Sequence, residues 1–429
     1  MAPRLDTWKS IAQHMGKSAR TLQRWHREYG LPVHHLAGES GSVYAYGDEL
    51  DTWLRGRSRS ELREAGPISG PELTPAVLDY ETSLPSRRSS DSDLISARAK
   101  GRSLQMVSLA ARMWDSLSPR NLNSIVLHYR KAADLDPESA EAYAGLSMGL
   151  IAQGIWRLVH PTGAFAAARV ALHHALAIDP ELLLAKTADA WLKMLVPRDW
   201  QGAREEFDGI LKQAPTCTRS LNGRALLHIA EGSLEKATRM LMKSADLSPL
   251  SSDAMAFYLW AAYLDGRFKH VLDQVSDLRA SGRHDPVSDV VEALTLIQHF
   301  GPSAALERLE ELAAESPQTE GLRGALGYAC AVSGEGQKAR ELLGSLMSLT
   351  GSAWDNMSRA PYAVALVWIG LNEKHKALKC LKQCYRDGSL WSLGYRFDPI
   401  LEPLRSDPQC LPMLDELDYP GPPIGSARG

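Results

Sequence analysis

The sequence predicts a mainly α-helical protein: a small head of two helices, a hairpin and a third helix, followed by a long array of helical hairpins. Three observations carry this expectation. Prolines 137, 180, 215 and 249 close small-residue helices at intervals of 43, 35 and 34, and Pro286 and Pro317 continue the beat more weakly. The first 57 residues lack that beat and instead set two short helix signatures around Gly16, followed by an alternating apolar run. Between the two, residues 58–93 are dense in Ser, Pro, Gly and charge, too polar to build a core of their own.

Composition narrows the class. The 429 residues are 44% hydrophobic and 23% charged, an ordinary globular balance, and ample chain to bury a core. No run of about 18 apolar residues is present to span a bilayer, and the basic start lacks the apolar stretch of a signal peptide. These features point to a cytoplasmic protein with no membrane segment. Cys217, Cys330, Cys380, Cys384 and Cys410 are odd in number and scattered, which argues against a disulfide framework. Residues 1–60 hold nine Lys and Arg against six Asp and Glu, whereas the remainder holds 39 against 45. A basic head on an acidic body suggests a polyanionic partner for the head alone.

The head elements follow in order. Asp6 or Thr7 caps a first helix whose Trp8, Ile11, Ala12 and Met15 form an apolar stripe ending at Gly16. Ser18 caps the second. At about 100° per residue, Leu22, Trp25 and Tyr29 share one face, and Lys17, Arg20, Arg24 and Arg27 gather on the other. The phase of Trp25 with Leu22 makes it a core residue rather than a base-stacking one. Gly30 stops the helix, a Gly/Ser tip spans residues 38–41, and Val43 and Ala45 alternate with Tyr44 and Tyr46 in a hairpin. Asp48 then caps a third helix carrying Leu50, Trp53 and Leu54.

With "SIAQHMGKSARTLQRWHREYGLP" at residues 10–32, the head resembles the winged helix-turn-helix of the MerR and excisionase type over nearly all of residues 5–57. The resemblance implies double-stranded DNA as partner, with the second helix in the major groove. Ser18, Arg20, Thr21, Gln23 and Arg24 then take the recognition positions, and Lys17 and Arg27 meet phosphates. Arg pairs with guanine and Gln with adenine, so Arg24 and Gln23 are the candidate base readers. Two features depart from the family: His34 and His35 stand in the wing without Arg or Lys at its tip, and no long dimerisation helix follows. A lone module of this size buries about 600–1,000 Å², so tight binding calls for self-association or cooperative neighbours.

A linker is expected over 58–100, an array over 101–417 and a tail over 418–429. In the array the period near 34, with helix, turn, helix and proline, resembles the tetratricopeptide family. Ala225 and Ala237 stand where helices touch, Gly232 at the turn, Leu241 in the large apolar slot and Pro249 at the close. A lone hairpin has nowhere to bury its apolar face, and stacking makes the core continuous. Seven or eight pairs are expected from about residue 101 to 387, with an insertion near residues 153–165, a degenerate stretch over 266–316, and a capping helix in "FDPILEPLRSDPQCLPMLDEL".

The resemblance also implies a concave groove lined by the first helix of each pair. Trp191, Leu226, Trp260 and Tyr328 fall at its ninth position and Met194 and Tyr263 at its twelfth, an aromatic lining suited to an apolar peptide or helix. The plainer alternative is that they pack helix on helix. Cys380 and Cys384 with His375 lack a second pair at ligand spacing and read as packing thiols, as His173 and His174 read as surface or packing residues. No phosphate loop, nucleophile constellation or shielded carboxylate pair appears, so neither enzyme activity nor a cofactor is expected. The whole resembles bacterial tetratricopeptide-containing transcriptional regulators, with DNA held by the head and a protein or peptide signal by the array. Two alternatives stand beside it: a scaffold whose head docks protein or is vestigial, and an excisionase-like DNA-bending factor.

Overall fold

The structure, a computed structural model, describes residues 4–5, 7–15, 22–23, 26, 31–35, 43–46, 49–50, 90–282, 285–348 and 360–420. The chain divides into two compact units, Met1–Ser86 and Arg87–Gly429.

In the first unit, helix α1 (Trp8–Met15) starts behind Thr7, one of the two expected caps; the other, Asp6, lies outside the described residues. The Thr7 hydroxyl accepts from the Ser10 backbone N–H and the Ser10 hydroxyl accepts from the Thr7 N–H, each at 3.1 Å. This reciprocal pair satisfies two backbone donors at the helix start. Strands β1 (Arg4–Leu5), β2 (His34–His35) and β3 (Val43–Tyr46) form an antiparallel sheet in the order β1-β3-β2. The register sets His34 opposite Tyr44 and His35 opposite Val43. Val43 and Ala45 are buried, as their alternation requires, and Tyr44 is half-buried. Strand β1 escaped the sequence reading because two residues are too short to show a period. Ile11, Leu22, Leu31, Val33, Val43, Ala45 and Leu50 make the core, with Trp8 packed against it. Residues 49–50 are helical; Trp53 and Leu54 lie outside the described residues.

The second unit stacks eight helical hairpins among its described residues. They are α2 (Ser90–Trp114) with α3 (Leu122–Leu135), α4 (Ala140–Ile155) with α5 (Pro161–Ile178), and α6 (Leu183–Leu195) with α7 (Trp200–Gln213). Next come α8 (Thr218–Ala230) with α9 (Leu234–Leu247), α10 (Ser252–Leu264) with α11 (Phe268–Ala280), and α12 (Pro286–Phe300) with α13 (Pro302–Glu315). Helix α14 (Glu320–Val332) with α15 (Gly336–Ser348) and α16 (Pro361–Gly370) with α17 (Lys374–Arg386) complete the array. Each first helix packs on its partner and on the first helix of the next hairpin, so one apolar core, holding Ala225, Ala237 and Leu241 among its fully buried members, runs the length of the unit.

Local chemistry explains the bounds. Pro137, Pro180, Pro215, Pro249 and Pro317 each stand two residues beyond a helix end, where a missing N–H ends the ladder. Pro286 departs from the expected beat: it opens α12 instead, behind Asp285, whose carboxylate accepts from the N–H groups of Val287 and Ser288. The stretch over 266–316 proves regular, with helix ends at 247, 280 and 315. The expected insertion lengthens α4 and α5 to 16 and 18 residues, against 13 and 14 in the following hairpin. Hairpin turns use a left-handed residue, as at Gly232 (φ 81°).

Three expected boundaries shift. Helix α2 begins at Ser90, so residues 90–100 are helical rather than linker; residues 95–105 hold no proline and mostly strong helix formers. The closing segment is not one capping helix. It runs as two 3-10 turns (Leu390–Gly394 and Pro399–Leu401) and two short helices, α18 (Glu402–Arg405) and α19 (Leu411–Asp415), because Pro399, Pro403, Pro408 and Pro412 interrupt any longer ladder. Asp418 and Tyr419, expected in the tail, are packed: the Trp200 indole donates to the Asp418 carbonyl at 3.0 Å, and Tyr419 stacks on Trp200.

Candidate functional site

Of the seven expected DNA contacts, Gln23 alone lies among the described residues, where it is helical and exposed beside the fully buried Leu22. Lys17, Ser18, Arg20, Thr21, Arg24 and Arg27 lie outside them, as do Trp25 and Tyr29. His26 is half-buried, with Nδ1 2.8 Å from the Leu31 carbonyl.

The six expected groove residues are all buried: Met194, Leu226 and Tyr263 at 0% exposure, Trp260 at 3%, Trp191 at 4% and Tyr328 at 9%. Most of each of these side chains is therefore packed in the interior, and of the six Trp260 also borders the cavity described below. The array winds until the turn after α2 meets the start of α10, where the Ser252 N–H and hydroxyl both donate to the Leu117 carbonyl at 3.1 and 3.0 Å. Into the remaining inner face folds the chain's own segment 388–401. Trp391 stacks on Tyr362 with ring centroids 5.1 Å apart and meets Trp260 edge-on at 5.5 Å. The Tyr263 hydroxyl donates to Asp398 Oδ1 at 2.8 Å and the Tyr362 hydroxyl to Oδ2. Burial pushes the Asp398 carboxyl up, and these two hydrogen bonds oppose it. Trp191, further from the segment, donates to the Arg219 carbonyl at 3.0 Å and meets Phe207 edge-on. Helix-position logic placed Trp260 and Tyr263 on the inner face but could not say what covers them.

Two arginines escaped the sequence reading altogether. Arg157 (φ 53°) and Arg198 (φ 74°) hold the left-handed turn position that Gly232, Gly266 and Gly334 fill in the fourth, fifth and seventh hairpins and Asn372 in the eighth, a conformation that strains an ordinary side chain by about 1 kcal/mol or more. Both reach the end of the array. Arg198 Nη2 donates to the Tyr385 carbonyl at 3.1 Å and to the Ser392 hydroxyl at 2.7 Å, with its guanidinium 4.5 Å over the Tyr385 ring. Arg157 Nη2 lies 3.6 Å from Asp387. The signal available in sequence was a non-glycine at a turn where the period asks for glycine.

A cavity of about 500 Å³ opens where the first helices of the fifth to eighth hairpins face residues 155–158 and 389–391. Trp156, Phe257, Trp260 and Trp391 supply much of its wall, and Gln318, Thr319 and Arg323 its polar side. The thiols of Cys380 and Cys384 are pushed up by burial to about 11 and about 12, which keeps them protonated packing groups. Among the described residues no three His, Cys, Asp or Glu side chains cluster at metal-binding distance, and no helix is long and apolar enough to cross a membrane.

No family model matches the chain, and no curated protein matches it. The second unit is a tetratricopeptide-like helical solenoid. Solved structures similar to the chain include the Cut9–Hcn1 hetero-tetramer of the APC/C, at 15% identity and a TM-score of 0.45, covering 73% of this chain and 57% of that one. Yeast Tom70 matches at 14% identity and a TM-score of 0.40 over 94% of this chain and 82% of its own. A tetratricopeptide repeat protein from Parabacteroides merdae matches at 15% and 0.31 over 71% and 98%. The chain thus spans little over half the length of the first of these, and likeness at this level concerns repeat architecture alone.

Proposed function

We propose that the chain acts by binding rather than catalysis, with its solenoid as a docking module for a protein or peptide. The observation that supports this is the inner aromatic wall, which already grips a stretch of polypeptide folded into 3-10 turns, by ring stacking and by hydroxyl bonds to a carboxylate. A partner segment with an aromatic residue several positions before an aspartate meets the same wall by replacing residues 388–401. The test is selection from a displayed random-peptide library on the full-length protein. Enrichment of aromatic and acidic peptides that compete with a synthetic 388–401 peptide supports the reading; a library that passes through without enrichment counts against it.

A second reading extends the first: the N-terminal unit holds duplex DNA, and the protein is a cytoplasmic transcription regulator that takes its signal through the solenoid. It rests on the basic balance of residues 1–60, on the 10–32 motif and on an apolar core joining α1, Leu22 and the hairpin. Selection of random duplexes with the full chain, compared with Arg24→Ala, tests it. An enriched motif that blurs at one position in the variant, with affinity falling steeply as salt rises, supports base reading by that helix. No preferred duplex at low salt leaves a scaffold alone. An excisionase-like bending role predicts a bent product in the same assay. Sedimentation of the free and DNA-bound protein reports whether self-association supplies the second half-site.

A further inference from the structure

The first hairpin departs in charge from the rest of the array. Residues 96–135 hold seven Lys and Arg against two Asp and Glu, whereas residues 136–429 hold 29 against 36. Between Asp93 and Asp115 the chain carries no acid, and in that stretch Arg98, Lys100, Arg102 and Arg112 of α2 are all exposed. At about 100° per residue, Arg98, Arg102, Leu109 and Arg112 fall within about 80° of one another, on the face away from the buried Ser103, Ala110 and Trp114. From Arg98 to Arg112 the stripe runs about 21 Å along the helix. The Ser103 hydroxyl donates to the Ala132 carbonyl at 2.8 Å, which brings the end of α3, with its exposed Arg130 and Lys131, beside the same half of α2. None of these six cations has an ion pair among the described residues, whereas in later hairpins Arg239 and Lys376 lie on Glu235 and Glu373. Cations gathered without counter-charges, on a body that is otherwise acidic, are the footprint of a polyanionic partner.

We propose that α2 and the end of α3 hold the phosphate backbone of duplex DNA, a contact made by the solenoid itself and blind to sequence. A duplex carries one negative charge per about 1.7 Å of its axis, and arginines spaced along a straight helix answer that row of charge. Two features select this partner. A single strand is held largely by stacking its bases on exposed rings, and the one aromatic side chain of α2, Trp114, is only 6% exposed. An acidic protein would seat large apolar anchors at the centre of its contact; the stripe offers Leu109, with Leu104 to one side, among Ala97, Gly101 and Ser108. The inference rests on the reading of the chain as a duplex binder and goes beyond it, since it assigns a share of the affinity to the array rather than to the head.

The test measures binding of the full chain to a mixed-sequence duplex by fluorescence anisotropy across a range of salt. Each phosphate contact adds about 0.9 to the slope of log affinity against log salt. Combining Arg98→Gln, Arg102→Gln and Arg112→Gln is therefore expected to flatten the slope by about 2 to 3 and to weaken binding about tenfold or more at low salt. Lysine at the same three positions keeps the slope, because the contact is one of charge. Lys212→Gln, Lys236→Gln and Lys269→Gln together remove as much exposed charge from later hairpins and leave the slope unchanged. A slope unmoved by the α2 glutamines, an equal fall in the later-hairpin variant, or poly-L-glutamate bound as tightly as the duplex and lost in the same α2 variant overturns the proposal. The two readings fail separately: a slope that falls with α2 while selection enriches no motif rejects base reading by the head alone, and an enriched motif with an unmoved slope rejects the α2 contact alone. A wild type that binds no duplex at low salt overturns both. If the triple glutamine variant does not fold by circular dichroism, the three single variants decide, each expected to flatten the slope by about 1.

Discussion

Two carboxylates, one buried at Asp285 and one half-buried at Glu231, set opposite pH signs. Asp285 is pushed up to about 6 by burial, against the backbone N–H groups of Val287 and Ser288 that favour its charge. Its folded value exceeds the unfolded one, so its protonation favours the fold and stability falls as pH rises from about 4 to 6. Asp285→Asn keeps an acceptor for the helix start; it is expected to match the wild type near pH 4 and to exceed it by on the order of 2 kcal/mol above pH 6. Glu231 goes the other way. Burial raises it, but bonds from His228, Arg204 and Arg224 outweigh that and hold it at about 2. Its contribution is present above about pH 4.5 and is lost as pH falls toward 2. Glu231→Gln is expected to cost about 2 kcal/mol at pH 7, since it leaves the largely buried Arg224 short of a partner, and little at pH 2. Urea midpoints measured across pH for both variants separate the two signs.

At the scale of the helix, close approach rather than propensity decides what a glycine tolerates. A Cβ on Gly324 stands 2.7 Å from backbone atoms of Ala363, where α14 packs on α16, whereas a Cβ on Gly209 meets nothing within 4 Å. Gly324→Ala is therefore expected to destabilise by about 2 kcal/mol, and Gly209→Ala to stabilise by about 0.5–1 kcal/mol. Thermal unfolding of the pair checks both, and a shift of the same sign in the two refutes the packing account. Element type was legible because it is local: the proline beat marks the ends of α3, α5, α7, α9 and α13, and the Val43 to Tyr46 alternation marks a strand. Strand β1 and the broken closing segment were not, since one is too short for a period and the other needs its four prolines weighed against an apolar pattern.

In the molecule as a whole, the chain's end closes its own array. Arg198 is the clearest fastener, because its backbone is strained where glycine would rest and its side chain holds the Tyr385 carbonyl and Ser392. Arg198→Gly relieves the strain while deleting the clamp. Hydrogen exchange of amides 388–401 is expected to quicken by about tenfold or more, with exchange in α12 to α15 unchanged. Uniform quickening across the solenoid argues that Arg198 supports the core instead.

The sequence by itself determined the repeat, the hairpin count to within one, the helix ends that Pro137, Pro180, Pro215, Pro249 and Pro317 mark and part of the first unit's apolar core, because each is written in the spacing of neighbouring residues. Only the tertiary structure decided what covers Trp260 and Tyr263, which turn residues reach across the superhelix, and where the cavity lies. The physical reason is range. A period of helical positions makes an apolar face without naming its cover, and the bond from Tyr263 to Asp398 joins residues 135 positions apart, a separation that no local pattern encodes.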